Sequence, residues 1–261
     1  MGQTDQQEHL VTRQFEEQLE LYTYGPATRV SQALPFLVEW VRSHEDALQG
    51  RGPLKVCEFG GGGGVLLEEI HKALGERVSL YNAELVEQYR SLQILPTIHF
   101  VRTSILDSGF DRGCFDVAIA RHVLHHLVGK SLRQTRLNQR RAVLELFRVV
   151  RPGGLVLIEE LVAQPPLACK TIYYLSRTSS QLGIRCDHFQ ITPYTVIALL
   201  TRKQLIALCE KFVPSTQWIA NAYAHRKLPL RWKVTLLMNN TGNAFIAMRR
   251  PPGNPSRGGG C

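Results

Sequence analysis

The chain has 261 residues, 44% apolar and 20% charged, enough for one sizeable α/β core with a small appendage; two full domains are not expected. Its formal charge of +9 favours anionic partners such as nucleic acid, acidic lipid or acidic small molecules. The six cysteines include no CxxC pair, which argues against a disulfide framework or a metal site and for a reduced, cytoplasmic compartment.

The start, MGQTDQQEHL, is polar, and no stretch approaches membrane-spanning length, so neither a secretory leader nor a membrane span is expected. Leu10, Val11, Phe15 and Leu19 fall at helical spacing and predict an amphipathic segment from His9 to Leu21, broken at Tyr22-Thr23-Tyr24-Gly25-Pro26. A second helix is predicted from Thr28 to His44, and residues 1–48 together read as an N-terminal helical arm. The main domain is predicted over residues 49–250. Its first strand, Leu54 to Phe59, meets five glycines, Gly60 to Gly64, and then a helix, Val65 to Leu74. A strand from Val78 to Ala83, a helix from Leu85 to Leu92, a strand from Thr97 to Val101 and a strand from Phe115 to Ala120 follow. A long helix from Leu137 to Val150 is expected to stop at Arg151-Pro152-Gly153-Gly154, ahead of a strand from Leu155 to Leu161.

Strands alternating with helices imply βαβ units, a parallel sheet and right-handed crossovers. Residues 162–200 leave that rhythm and predict a mostly helical insertion that caps the acceptor side of the site. A helix capped by Thr201 is predicted to Phe212, with closing strands at Trp218 to Tyr223 and Asn243 to Met248. The Pro/Gly-rich residues 251–261 read as a disordered tail.

Five consecutive glycines cost backbone entropy, and a fold retains them where the chain bends sharply or something approaches it closely. Strand, glycine loop, helix is where an α/β protein receives a nucleotide-like cofactor. A triphosphate loop needs a Lys-Ser or Lys-Thr that is absent here. The dinucleotide pattern needs a small residue where Val65 or Leu66 stands. The pattern that fits is acid-x-Gly-x-Gly-x-Gly: Glu58, Gly60, Gly62 and Gly64.

With VCEFGGGGG stand three further pieces in order: Glu84 at the end of the second strand, FDVAIARHVLHHL, and LFRVVRPGGLVLIEEL. In these four pieces the chain resembles class I S-adenosylmethionine-dependent methyltransferases, especially the group containing the ubiquinone and menaquinone biosynthesis enzymes. The likeness covers about Leu54 to Leu161 well and the closing strands loosely. It implies a Rossmann-like α/β fold with a mixed seven-stranded sheet and helices on both faces. It also implies S-adenosylmethionine as methyl donor and S-adenosylhomocysteine as product. Gly60, Gly62 and Gly64 would lie against the methionine and ribose parts, and Glu58 would meet the methionine amino group. Glu84 would hold the ribose hydroxyls with Leu85 beside it, and Arg121 or His122 would line the methionine end. The family commonly has an acid beside the adenine; here Ser104 occupies that place, next to Ile105, unless a register shift brings in Asp107.

Methyl transfer asks the protein to align an acceptor, exclude water and accept a proton. His122 and His125, with His126, after the fourth strand, and Glu159 and Glu160 after the fifth, stand where such a group belongs. His122, Glu160 and His125 are the candidate catalytic residues. The alternatives are an ion pair of Glu160 with Arg121 or Arg148, and a packing role for His125 or His126. His188 is a further candidate base, and Tyr22 and Tyr24 precede the core where relatives fold a segment over the cofactor. Arg177, Arg185 and Tyr173-Tyr174 are the predicted acceptor contacts. A small-molecule acceptor is expected, with the chain a monomer or homodimer. The alternatives are an RNA acceptor held by the basic stripe Lys130, Arg133, Arg136, Arg140 and Arg141, and a cofactor-binding scaffold without catalysis. The Asn/Asp-Pro-Pro-Tyr/Phe motif of amino-directed nucleic-acid enzymes is absent; Arg121-His122-Val123-Leu124 stands in its place.

Overall fold

A computed structural model describes residues 31–44, 50–185 and 196–252, together with residue 12. The predicted helix from His9 to Leu21, Tyr22, Tyr24, His188 and the tail beyond residue 252 lie outside the described residues. In chain order the described elements are helix α1 (Ala33–Ser43), β1 (Leu54–Phe59), α2 (Val65–Leu74), β2 (Val78–Glu84), β3 (His99–Arg102), β4 (Phe115–Arg121), α3 (Leu132–Val149) and β5 (Val150–Gln164). After these come α4 (Pro166–Leu182), α5 (Arg202–Cys209), β6 (Trp218–His225), α6 (Leu230–Thr235) and β7 (Asn240–Arg249).

The strands form one seven-stranded sheet in the order β3-β2-β1-β4-β5-β7-β6. β3, β2, β1, β4 and β5 run parallel, and β7 runs antiparallel to both β5 and β6. This is the mixed seven-stranded, Rossmann-like sheet expected. Strand order reverses between β1 and β4, so the crevice beyond their carboxyl ends is where such a sheet receives a ligand.

The central strands are apolar on both faces because helices cover both. In β4, Val117 and Ile119 point into a cluster with Leu37 of α1 and Leu67 and Ile70 of α2. Ala118 and Ala120, on the other face, meet Val143 and Leu146 of α3 and Leu205 of α5. α1 presents Ala33, Leu37 and Val41, one residue per turn, to the first cluster.

Several boundaries depart from the predicted ones for identifiable reasons. α3 starts at Leu132, five residues before the predicted Leu137. Its cap is Ser131, whose hydroxyl accepts from Gln134 N at 3.2 Å. Its early turns bury Thr135, Asn138 and Gln139, polar residues that a count of apolar periodicity passes over. The helix predicted from Leu85 to Leu92 is a 3-10 segment, Glu87–Leu92. The Glu84 carboxylate takes the amides of Leu85 and Val86 and holds Val86 extended. β5 runs from Val150 rather than Leu155; residues 151–154 bulge out of the ladder between the partners Phe115 and Val117. It continues to Gln164 because β7 pairs with it throughout, from Leu155 opposite Arg249 to Gln164 opposite Asn240. Thr201 caps α5 as predicted, in a reciprocal capping box with Gln204.

α4 lies in the segment predicted as a helical insertion. It buries Ala168, Cys169, Tyr173 and Ser176 and leaves Leu167, Tyr174 and Leu182 exposed. Among the described residues no helix is long and apolar enough to cross a membrane. Among them also, no group of three or more His, Cys, Asp or Glu side chains is placed to hold a metal, and Cys57, Cys114, Cys169 and Cys209 are free thiols.

Candidate functional site

The glycine run leaves β1 at the reversal of strand order. Gly60, Gly62 and Gly64 all have left-handed backbones, with φ of 69°, 53° and 78°. Gly60 N donates to Ala83 O at 2.8 Å, which ties the loop to β2. A Cβ at Gly60 would lie 2.5 Å from Val123 Cγ2, so the segment after β4 packs directly on the loop. A Cβ at Gly61 would lie 2.5 Å from Asn82 Oδ1 and 3.0 Å from Glu58 Oε2. The loop is therefore pressed onto two polar side chains below it, closer than any residue but glycine allows.

Those side chains are buried. Glu58 Oε1 accepts from Arg121 Nε at 3.4 Å, whereas Oε2 has no partner among the described residues. Burial raises the Glu58 carboxyl above its usual range, against the opposing charge of Arg121. Asn82 Nδ2 donates to Gly62 O at 2.8 Å, and its Oδ1 likewise has no partner among the described residues. Two buried acceptors beneath a glycine loop suit a ligand that brings a donor, such as an ammonium group. Glu84 ends β2 beside them. Its Oε2 accepts from Gly62 N at 2.9 Å, and its Oε1 from Leu85 N at 2.7 Å and Val86 N at 3.0 Å. Burial raises this carboxyl too, against those three amides. A carboxylate has about four acceptor sites, so three backbone bonds leave capacity for one further donor.

Across the loop, β4 ends at Arg121 and the chain turns at His122. His122 has φ 56°, a left-handed backbone that histidine adopts more readily than most residues. Its amide donates to Glu159 O at 2.8 Å. Burial lowers the His122 pKa to about 4, so the ring is neutral at pH 7.

The two acids of β5 that stand beside the end of β4 are both engaged. Glu159 Oε2 accepts from Ser31 Oγ at 2.8 Å and Gln32 N at 3.1 Å, at the start of α1, where the helix dipole favours a carboxylate. Glu160 Oε2 accepts from Leu124 N at 2.7 Å, and its Oε1 meets His125 Nδ1 at 2.6 Å and Leu161 N at 2.7 Å. Burial alone would raise this carboxyl, but chiefly the His125 ring, with the Leu161 amide, outweighs it and holds it below the usual range. The predicted ion pairs of Glu160 with Arg121 or Arg148 are not formed. Arg121 meets Glu58, Arg148 meets Glu145 one turn away on α3, and Glu160 is taken by His125 of the turn that follows β4. His126 packs on His125 with ring centroids 4.1 Å apart, and burial lowers its pKa well below 6.5.

On the β3 side, Ile105 is buried and Ser104 is half-buried, its hydroxyl accepting from Leu106 N at 3.2 Å. Asp107 is exposed and its amide donates to Ser104 O at 3.2 Å, so the two predicted adenine residues share one tight turn.

The predicted acceptor contacts divide. Arg177 is built into the fold: its Nη1 donates to Gly129 O at 3.0 Å and to Tyr173 Oη at 3.2 Å, and Tyr173 is buried. Tyr174 and Arg185 are exposed. In the basic stripe, Lys130, Arg133, Arg140 and Arg141 are exposed. Arg136 turns inward and donates to Gln139 Oε1 at 2.7 Å and Leu199 O at 3.0 Å.

Three residues that shape the site carry no sequence signal of it. Asn82 supports the loop from below. Gln139 Nε2 donates to both Leu124 O and Ala198 O at 3.0 Å, joining the histidine turn to the insertion's end. Tyr89 is buried with its ring 3.6 Å from where a Gly62 Cβ would be. Asn82 and Tyr89 flank Glu84 in the sequence.

Residues 57–158 match the family model described as a methyltransferase domain. No curated protein matches the chain. Among solved structures, the fold is similar to that of a Burkholderia thailandensis 1,6-didemethyltoxoflavin-N1-methyltransferase with bound 1,6-didemethyltoxoflavin and S-adenosylhomocysteine. That similarity has 12% identity and a TM-score of 0.56 over 96% of this chain and 91% of that one. The YcgJ protein from Bacillus subtilis is similar at 13% identity and a TM-score of 0.53, over 84% of this chain and 98% of that one. The [4+2]-cyclase SpnF is similar at 12% identity and a TM-score of 0.52, over 84% of this chain and 81% of that one. At these identities the likeness is one of fold.

Proposed function

We propose that this chain, whose residues 57–158 match a methyltransferase-domain family model, moves a methyl group from S-adenosylmethionine to oxygen, nitrogen or carbon of a small-molecule acceptor. The observation that carries the reading is the pair of buried acceptors without a partner among the described residues, Glu58 Oε2 and Asn82 Oδ1, under a glycine loop at the reversal of strand order. They suit the ammonium of a methionine moiety, and Glu84 retains capacity for a ribose hydroxyl. Gly60, Gly62 and Gly64 give the backbone its curl, Leu85 and Ile105 supply apolar walls, and Ser104 or Asp107 offers a polar group to an adenine edge. When bound, the cofactor supplies a methyl group already activated by its sulfonium.

The chain's own residues hold and orient. Glu160 fixes the His125 ring and, through Leu124 N, the turn that carries His122. His122, neutral at pH 7, presents one accepting ring nitrogen toward a donor on the acceptor molecule. A ring with so low a pKa orients a hydroxyl or takes a proton already weakly held; it is a poor base toward an alcohol. Arg121, paired with Glu58, keeps positive charge beside the loop.

Calorimetry with S-adenosylmethionine and S-adenosylhomocysteine tests the cofactor half. Binding by the wild type and a large loss in Glu84→Ala, with unfolding followed separately, are expected; absence of binding by the folded wild type overturns the proposal. Labelled methyl donor, supplied with cell extract split into small-molecule and RNA fractions, tests the acceptor half. Label in the RNA fraction alone, lost with Arg140→Ala and Arg141→Ala, replaces the small-molecule acceptor with RNA.

A further inference from the structure

The connection from β6 to β7 covers residues 226–239 and includes α6. Because β7 runs antiparallel to β5, this connection lies beyond the carboxyl ends of the parallel strands, on the same rim as the candidate site. Asn239 N donates to Gln164 O at 2.9 Å, and Leu228, Leu236 and Met238 pack on Ala163, Cys169 and Leu199. The segment is thus anchored from below.

Its outer side is apolar and, among the described residues, bare. Leu230 is 75% exposed, Val234 66% and Leu237 62%. Leu230 and Val234 stand four residues apart on one face of α6. Leu237 has φ 50°, a left-handed backbone that is costly for a leucine and that points it outward while Leu236 points in. Arg226, Lys227, Arg231 and Lys233 surround these side chains, all four exposed, and no Asp or Glu follows Glu210 anywhere in the sequence. The Arg226 charge reaches His122.

Three occupants could cover such a surface, and the residues discriminate among them. A second copy in a two-fold dimer would set four cations against the same four cations. Nucleic acid would satisfy the cations, but single strands are gripped by aromatic stacking, and a duplex buries aliphatic side chains only by paying to unstack its base steps. An anionic bilayer satisfies both: aliphatic side chains enter the boundary of headgroup and acyl chain while the cations remain among the headgroups.

We propose that residues 226–239 dock this rim on an anionic lipid bilayer, with Leu230, Val234 and Leu237 inserted and Arg226, Lys227, Arg231 and Lys233 on the headgroups. The docking does not depend on methyl transfer, but it would turn the candidate site toward the membrane surface.

The test is co-sedimentation of the full chain with vesicles of phosphatidylcholine alone and of phosphatidylcholine with phosphatidylserine. The wild type should partition to the anionic vesicles about tenfold better, and added salt should weaken that preference. Leu230→Ser/Val234→Ser and Arg231→Ser/Lys233→Ser should each lose about tenfold or more of that binding. All four positions are exposed, so thermal unfolding and S-adenosylhomocysteine binding without vesicles should match the wild type. Those controls separate failure of docking from failure of the cofactor reading. A wild type that stays in the supernatant overturns the proposal. So do equal binding to both vesicle types, variants that sediment like the wild type, and a dimer in solution that Leu230→Ser/Val234→Ser abolishes.

Discussion

Replacing Glu160 with alanine removes an acceptor shared by His125 Nδ1 at 2.6 Å, Leu124 N at 2.7 Å and Leu161 N at 2.7 Å. The carboxylate is 1% exposed, so water does not replace what is lost. Two buried amides without a partner cost about 1–3 kcal/mol each. Breaking one side of a buried pair costs about 3–5 kcal/mol. These figures count overlapping losses, and together they place the destabilisation near ~4 kcal/mol. For a domain of this size that is a fall in Tm of roughly 10 °C. Glu160→Gln should cost less, about half, because its amide must turn an N–H toward either Leu124 N or Leu161 N and keeps one acceptor for the other.

Urea unfolding followed by tryptophan fluorescence reads both variants, with exposed Glu76→Ala expected within about 0.5 kcal/mol of the wild type. The pH dependence supplies a second reading. The Glu160 carboxyl is held below its usual 4.5, so its contribution is complete above that value and fades as pH falls through the lower folded one. The gap between wild type and Glu160→Ala should therefore narrow only in acid. A loss below about 1 kcal/mol at neutral pH would refute the engaged-carboxylate reasoning.

Gly61→Ala should lose cofactor binding and about 1–3 kcal/mol of stability, since its Cβ would meet Asn82 Oδ1 at 2.5 Å, whereas Gly52→Ala has nothing within 4 Å and should be silent in both assays. The His122 pKa falls from 6.5 to about 4 on folding, so the unfolded chain binds the proton first and stability drops as pH falls across that interval. His122→Asn keeps a side chain tolerant of φ 56° and should make that acid limb shallower in denaturation curves at stepped pH. Gln139→Leu leaves Leu124 O and Ala198 O without their shared donor and should cost about 1–3 kcal/mol by urea midpoint.

The elements that were legible were those whose signal is local. β1, the glycine loop and α2 follow from an apolar run, a run of glycines and a helical apolar spacing, and all three stand where expected. β4 differs from its prediction only by Arg121. The misjudged boundaries share a cause. α3 begins on polar residues that are buried through hydrogen bonds, and β5 is lengthened by β7, which lies more than seventy residues away in the chain. Hydrophobic periodicity registers neither. The acids show the same division. Glu58 and Glu84 were found from their spacing to the loop, but that Glu159 caps α1 and Glu160 holds His125 depends on strand pairing.

The sequence by itself determined the glycine curl, the acid before it and the acid after it, because those depend on backbone conformation and on spacing within one βα unit. It also determined the alternation that makes a parallel sheet. Only the tertiary structure decided that Arg121 lies on Glu58 and that Glu58 Oε2 and Asn82 Oδ1 are left facing the loop with no donor among the described residues. It also decided that Leu230, Val234 and Leu237 stand bare on the same rim. The physical reason is that a buried polar atom's partner, and an apolar side chain's cover, are supplied by whichever distant segment the sheet order brings alongside.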